Sequence, residues 1–246
     1  MRIALYSALS FSLLASTALA ETAPSTPPST PKKQYNEPTR GFFIEHGTVS
    51  KQSQVSIELS TGSDSFDNGG GIRLGLPNSE LIINSGIDAN GSNSALLKYA
   101  MKDFKTSNDS SNAIQWALLG GVSQFNIEDG AHNTSVVFGL AATVEADAGT
   151  FSLSPQLVHS SNSSSESDTY IDIDLGAYVG VIDTVSGLFS LGVEGSFTTQ
   201  DDTDNSFAFG GRWAYNERVN IDIVPLILQE RDVSGIPGLV RLNVVF

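Results

Sequence analysis

From Ser53 to the last residue, apolar and polar side chains alternate along the chain with a period of two. Tyr170 to Ile182 shows the pattern most clearly. Ile171, Ile173, Leu175, Ala177, Val179 and Val181 share one face, and Asp172, Asp174, Gly176 and Gly180 share the other. In a helix neighbouring residues sit only about 100° apart, so Ile171 and Asp172 would crowd onto one side. A strand puts them on opposite faces. Val55, Ile57 and Leu59 alternate in the same way with Ser56, Glu58 and Ser60; Ile72, Leu74 and Leu76 with Arg73 and Gly75; Leu97, Tyr99 and Met101 with Lys98, Ala100 and Lys102. Further along, Val136, Phe138, Leu140, Ala142 and Val144 oppose Ser135, Gly139, Thr143 and Glu145, and Phe151, Leu153, Pro155 and Leu157 oppose Ser152, Ser154 and Gln156. Phe189, Leu191, Val193 and Phe197 oppose Ser190, Gly192, Glu194 and Ser196. Phe207, Phe209, Trp213 and Tyr215 oppose Arg212 and Asn216, while Ile221, Ile223 and Ile227 oppose Asn220 and Asp222. Residues 79–88 and 113–127 also read as strands, with less distinct faces. With a last strand over 240–246, the reading is an all-β chain of about twelve strands, within a range of about 10–14.

One apolar and one polar face per strand is what a wall between lipid and a polar interior requires. After residue 20 the chain has no apolar run near the length of a membrane helix. If it crosses a bilayer it must do so as a closed barrel, which satisfies its backbone without water. The predicted fold is a single antiparallel transmembrane β-barrel over 42–246. An even strand number places both ends of the barrel on one side, read here as periplasmic. The connections on that side include Pro77 to Glu80, Asp147 to Gly149, Asp183 to Gly187 and Tyr215 to Arg218, all short. Those on the other side include Thr61 to Gly70, Ser160 to Asp168 and Gln200 to Asn205, which are longer or more acidic. Lys105 to Asn112 is longer than this scheme prefers.

The first residues have a different character. Arg2 precedes an apolar run from Ile3 to Leu14, and Ala18-Leu19-Ala20 offers the small-x-small pattern of signal peptidase. Residues 1–20 are therefore read as a signal peptide, with Ala18 and Ala20 at the cleavage site. Residues 21–41 are rich in Pro, Ser and Thr and too poor in apolar side chains to offset ordering, so they read as a disordered periplasmic tail. Phe42-Phe43-Ile44 is too apolar for free solution; it belongs against the barrel's lower end or in its lumen, and the sequence does not choose between them. Losing Arg2 with the signal moves the net charge from −14 to −15, which argues against nucleic acid as a partner. There is no Cys to form a disulfide or carry a lipid anchor.

The chain resembles the broad class of Gram-negative outer-membrane β-barrel proteins. The resemblance rests on the signal peptide and on the ending V-R-L-N-V-V-F, where Val240, Leu242, Val244 and Phe246 alternate up to the terminus. It covers roughly residues 48–246 in architecture. It implies an outer-membrane location, recognition of the terminal aromatic strand by the barrel-assembly machinery, and contact with outer-membrane lipid and lipopolysaccharide.

Candidate chemistry lies on the inward faces. Arg73, Glu58, Arg241, Asp222, Arg212 and Glu194 fall on strands two, one, twelve, eleven, ten and nine, successive neighbours once the barrel closes, and their signs alternate. Such a belt is either a set of structural ion pairs or a charged constriction that filters solutes. Asp172 and Asp174 sit higher, with no Lys or Arg on adjoining strands at that height, as contacts for a cationic solute or metal ion. Acidic loop residues (Asp64, Asp67, Glu128, Asp129, Glu166, Asp168, Asp201, Asp202 and Asp204) match no calcium-loop spacing. Gly69-Gly70-Gly71 lacks the Lys-Ser/Thr and helix of a phosphate loop. No cofactor motif or metal-ligand spacing stands out. His159-Ser160-Ser161-Asn162 matches the short His-x-Ser-Asn string of lipid A 3-O-deacylases, with Glu166 nearest to orient the ring, but it lies within a Ser-rich tract and too many strands follow it for that small barrel. The expectation is a narrow mixed-charge channel for small solutes. The alternatives are a structural or surface-interaction barrel closed by ion pairs, and a lipid A esterase.

Overall fold

The computed structural model describes residues 39–62, 68–86, 91–102, 104–105, 113–126, 132–146, 149–163, 166–184, 187–200, 203, 205–229, 232–233 and 238–246. The signal peptide with Ala18 and Ala20, the tail up to residue 38, and Asp64, Asp67, Glu128, Asp129, Asp201, Asp202 and Asp204 lie outside them.

The described strands are β1 (Val55–Gly62), β2 (Gly69–Leu76), β3 (Ser79–Gly86), β4 (Ser92–Ala100), β5 (Phe104–Lys105), β6 (Ala113–Asn126) and β7 (His132–Ala146). They continue with β8 (Gly149–Asn162), β9 (Ser167–Thr184), β10 (Gly187–Thr198), β11 (Ser206–Ala214), β12 (Val219–Gln229), β13 (Asp232–Val233) and β14 (Leu239–Val245). β5 and β13 are two-residue additions, beside β6 and β12. The other twelve form one antiparallel sheet in chain order, closed where β1 pairs with β14, Ser56 opposite Val245 through Gly62 opposite Leu239. Closure leaves no open edge along this wall, the condition for crossing lipid with strands. No described helix is long and apolar enough to cross a membrane.

The period-two pattern accounts for the wall's two faces. Leu59, Phe138, Leu157, Ile171, Phe209 and Ile223 point outward and are exposed to everything but protein, while Ser56, Glu58, Arg73, Ser154, Glu194 and Asp222 point inward and are buried. An apolar exterior this extensive belongs in lipid. The wall is uneven in height: β1 to β3 have 8 residues each, whereas β9 has 18. The connection at Pro77-Asn78 is tight, with Asn78 at a φ of 55°, a left-handed conformation that Asn tolerates. The expected loop from Ser160 to Asp168 is shorter than its sequence suggests, because Ser160 and Asp168 pair as the strands continue upward.

Ile227 departs from the alternation of its strand. The alternation predicts Ile227 outward with Ile221 and Ile223, but it is 2% exposed and packs inside with Val224, Ala208 and Leu239. The register of β11 on β12 shifts between Phe209 and Gly211. The extra residue falls beside Pro225, which has no N–H to give the ladder, and a bulge there reverses the parity of the residues after it.

Candidate functional site

Residues 39–50 are not a strand of the wall. They form a compact loop inside it, closed on itself by a bridge between Arg40 and Glu45 and by hydrogen bonds from Gly41 N to Ile44 O (2.7 Å) and from His46 N to Thr39 O (3.0 Å). Thr39, Arg40 and Gly41, assigned by composition to the tail, are therefore held within the barrel. Where the sequence left Phe42-Phe43-Ile44 between the barrel's lower end and its lumen, the structure places the segment in the lumen.

Two anchors hold it. On one side the Glu45 carboxylate accepts hydrogen bonds from Arg73 (2.6 and 3.0 Å) and from Lys98 Nζ (2.9 Å). Lys98 also donates to the Thr39 carbonyl, Thr39 Oγ1 donates to Glu80, and Arg40 lies 2.7 Å from Glu58. On the other side Phe42, fully buried, enters an apolar cluster with Tyr178, Ala208, Val224, Ile227 and Leu239, meeting the Tyr178 ring edge-on at 5.6 Å. Glu194 accepts the Phe42 and Phe43 amides and the Tyr178 hydroxyl. Arg212 donates to the carbonyls of Arg40 and Gly41 (3.2 and 3.1 Å) and stands over the Phe42 ring. Gly47 N donates to Thr143 Oγ1 (2.9 Å). These partners come from strands all round the bore, so the loop is a plug. Gly41 lets the plug come this close: a Cβ there would push against the Tyr178 hydroxyl and the Glu194 carboxylate, which would have to shift.

The six residues of the expected belt face the lumen on β2, β1, β14, β12, β11 and β10, which are neighbours in that order. Arg73 pairs with Glu58 (3.0 Å), Arg212 with Asp222 (2.6 Å) and Arg241 with Asp222 (3.5 Å). Arg241 and Glu58 are not joined: Arg40 and Arg73 take Glu58, while Glu194 is bound by N–H and O–H groups of the plug and Tyr178. Sequence reasoning missed Glu80 and Lys98, both fully buried and 2.9 Å apart, along with the plug's Arg40 and Glu45. Glu80 and Lys98 are direct register partners on β3 and β4. Lys98 was on the inward face already, but the run Leu81-Ile82-Ile83 blurs the alternation of β3.

Within the plug, two titrating groups are shifted. Burial opposes charge on Glu45, but Arg73, Lys98 and Arg40 together outweigh it and hold the carboxyl well below its usual range. Burial, reinforced by Arg212 and Lys98, pushes His46 down to about 3, so its ring is neutral at ordinary pH.

Above the plug the lumen changes. Phe43 and Ile44 form the floor of a cavity of about 200 Å³, with Asp174, Ser196, Ser206 and Ala208 around it. Asp174 accepts a hydrogen bond from Gln156 (2.9 Å), and neither Asp174 nor Asp172 has a cation at ion-pair distance among the described residues. No cluster of three or more His, Cys, Asp or Glu suited to a metal occurs among the described residues. In the His159 string, His159 Nδ1 bonds Thr169 Oγ1 (2.8 Å), Ser161 Oγ donates to the Thr134 carbonyl, and Glu166 is bound to Asn162. The three groups of the esterase arrangement thus have separate partners. At the end of β14, Leu242 and Phe246 point outward and are exposed, and Val240 and Val244 share their face between Ile223 and Val219 of β12 and Thr61 and Ile57 of β1.

A closed twelve-stranded wall with an apolar outside and a polar inside defines an integral β-barrel of the Gram-negative outer membrane. No family profile matches the chain, and no curated protein is similar to it in sequence. Among solved structures it is similar to a bacterial polysaccharide outer membrane secretin, at 10% identity over 81% of this chain and 99% of that one, with a TM-score of 0.42. It is similar also to the NanC porin, at 12% identity over 78% of this chain and 97% of that one, with a TM-score of 0.43. Likenesses of that size say nothing about cargo.

Proposed function

We propose that this is a resting-closed outer-membrane barrel: a structural or surface-interaction barrel whose lumen is shut at the turn-bearing end, not a standing solute channel. The observation that carries this reading is the plug. It occupies the level where Glu58, Arg73, Glu80, Lys98, Glu194, Asp222 and Arg241 are all buried, none more than 6% exposed. Ions and polar solutes passing that level would have to displace charges already paired in a water-poor space, and removing one partner of such a pair is costly. The cavity over Phe43 and Ile44 faces the loop end, where the acidic connections lie. In the same reading the outward run Val240, Leu242, Val244 and Phe246 serves assembly and lipid contact and has no part in the lumen's chemistry. Liposome swelling with small sugars tests the proposal: vesicles carrying the folded full-length protein swell no faster than empty ones, and rapid uptake of arabinose-sized solutes contradicts it.

A further inference from the structure

The plug and the wall are not equally dependent on each other. Each wall cation that grips the plug also has a wall carboxylate at ion-pair distance, though some carboxylates are shared. Arg73 has Glu58 at 3.0 Å and Glu80 at 3.5 Å, and Lys98 has Glu80 at 2.9 Å. Arg212 has Asp222 at 2.6 Å, and Arg241 reaches the same carboxylate at 3.5 Å. Glu194 keeps the Tyr178 hydroxyl. Withdrawing residues 39–50 therefore leaves every one of these wall cations with a wall carboxylate within 3.5 Å, and a stranded buried charge is the usual obstacle to opening such an interface. On the plug, Arg40 and Glu45 lose wall partners but pass into water.

The covalent link has the same character. Residues 51–54 make a turn, Gln54 N to Lys51 O (3.0 Å), fastened to β2 by Ser53 N to Gly75 O (2.9 Å) and Gly75 N to Gln54 O (2.8 Å). The barrel is closed by β1 on β14 without help from the plug. The plug is thus a side-chain-held insert on a fixed hinge, inside a wall that is complete and self-neutralised.

We infer from this geometry that the protein has a second activity, as an autoinhibited ion pathway: with residues 39–50 displaced, the lumen conducts small ions and prefers cations. The preference comes from the charges that remain. At the belt Arg73, Lys98, Arg212 and Arg241 balance Glu58, Glu80, Glu194 and Asp222, and above it Asp172 and Asp174 add carboxylates with no cation at ion-pair distance among the described residues. A lumen lined in excess by one sign concentrates the opposite ion.

This inference rests on the resting-closed reading, and single-channel recording in planar bilayers separates the two. The proteins compared are the full-length chain, the chain lacking residues 39–50, and the double variant Arg40→Gln/Glu45→Gln, each checked for folding by heat-modifiable mobility. The expected result is a silent full-length protein, stable conductance steps from the deletion, and brief openings from the double variant. In a potassium chloride gradient the reversal potential of the deletion gives a cation preference of roughly two- to fivefold, lowered toward unity by adding Asp172→Asn/Asp174→Asn. A silent full-length chain with a folded but silent deletion overturns the inference and leaves the closed reading standing. Steady conductance from the full-length chain overturns the closed reading itself. Should the deletion not fold, the double variant decides: openings support the inference, and a folded, silent double variant overturns it.

Discussion

The two halves of the lumen are built from the same wall, yet they differ in how their carboxylates are paired. In the half nearer the turns, most buried carboxylates face a guanidinium or ammonium, and Phe42 fills the remaining apolar space. In the half nearer the loops, Asp172 and Asp174 face hydroxyls and amides, and a cavity is open above Phe43. Most of that pairing belongs to the wall itself, and residues 39–50 add Arg40, Glu45 and Phe42 to the lower half alone. A barrel's inward face specifies polarity; the effect of that polarity depends on whether something is seated against it.

The lower half depends most on Arg73, which joins Glu45, Glu58 and Glu80 while only 2% exposed. Arg73→Met leaves the carboxylates of Glu45, Glu58 and Glu80 with only Arg40 and Lys98, among the described residues, to balance them, and is expected to destabilise the barrel by about 3–5 kcal/mol, read from urea unfolding in detergent micelles. Phe42→Ala acts on the plug alone. It empties a filled apolar site and weakens seating by about 3 kcal/mol, seen as faster amide exchange across 39–47 with wall strands unchanged.

Acid loosens the plug through His46. A released plug takes up a proton below the ordinary histidine value of 6.5, whereas the seated ring, facing Arg212, Lys98 and Arg73 as well as Glu45 and Tyr178, does so only near 3. The released state therefore binds more protons as pH falls through 6.5, and seating is strongest above that value. Between pH 7.5 and pH 5 the loss is about 2 kcal/mol, measured by exchange of the plug amides, and His46→Phe flattens the dependence. Smallest of all is Asp174→Asn in the upper lumen, expected to change stability by less than about 1 kcal/mol because no ion pair is lost. If it proves as costly as Arg73→Met, the two halves are not distinct.

The wall was legible in the sequence because its signals are local. Alternation gives the faces, and adjacency of hairpin strands brings Arg212 to Asp222 and Glu58 to Arg73. Two things defeated the pattern within the wall: the bulge at Pro225, which turned Ile227 inward, and the apolar run in β3, which hid Glu80. The plug was not legible for a different reason. Glu45 meets Lys98 and Arg40 meets Glu58 only because a segment from before the first strand enters the bore, and no periodicity encodes that. Phe42-Phe43-Ile44 was the one sign, an apolar cluster at the end of a polar stretch with nothing local to cover it.

The seating of that cluster is most directly tested by hydrogen exchange at the Phe42 and Phe43 amides of the folded full-length protein in micelles at neutral pH. Both donate to the buried Glu194, so both are expected to be as protected as the amides of β10 and β11. Exchange at the rate of an unstructured chain, with the barrel strands still protected, would contradict that seating.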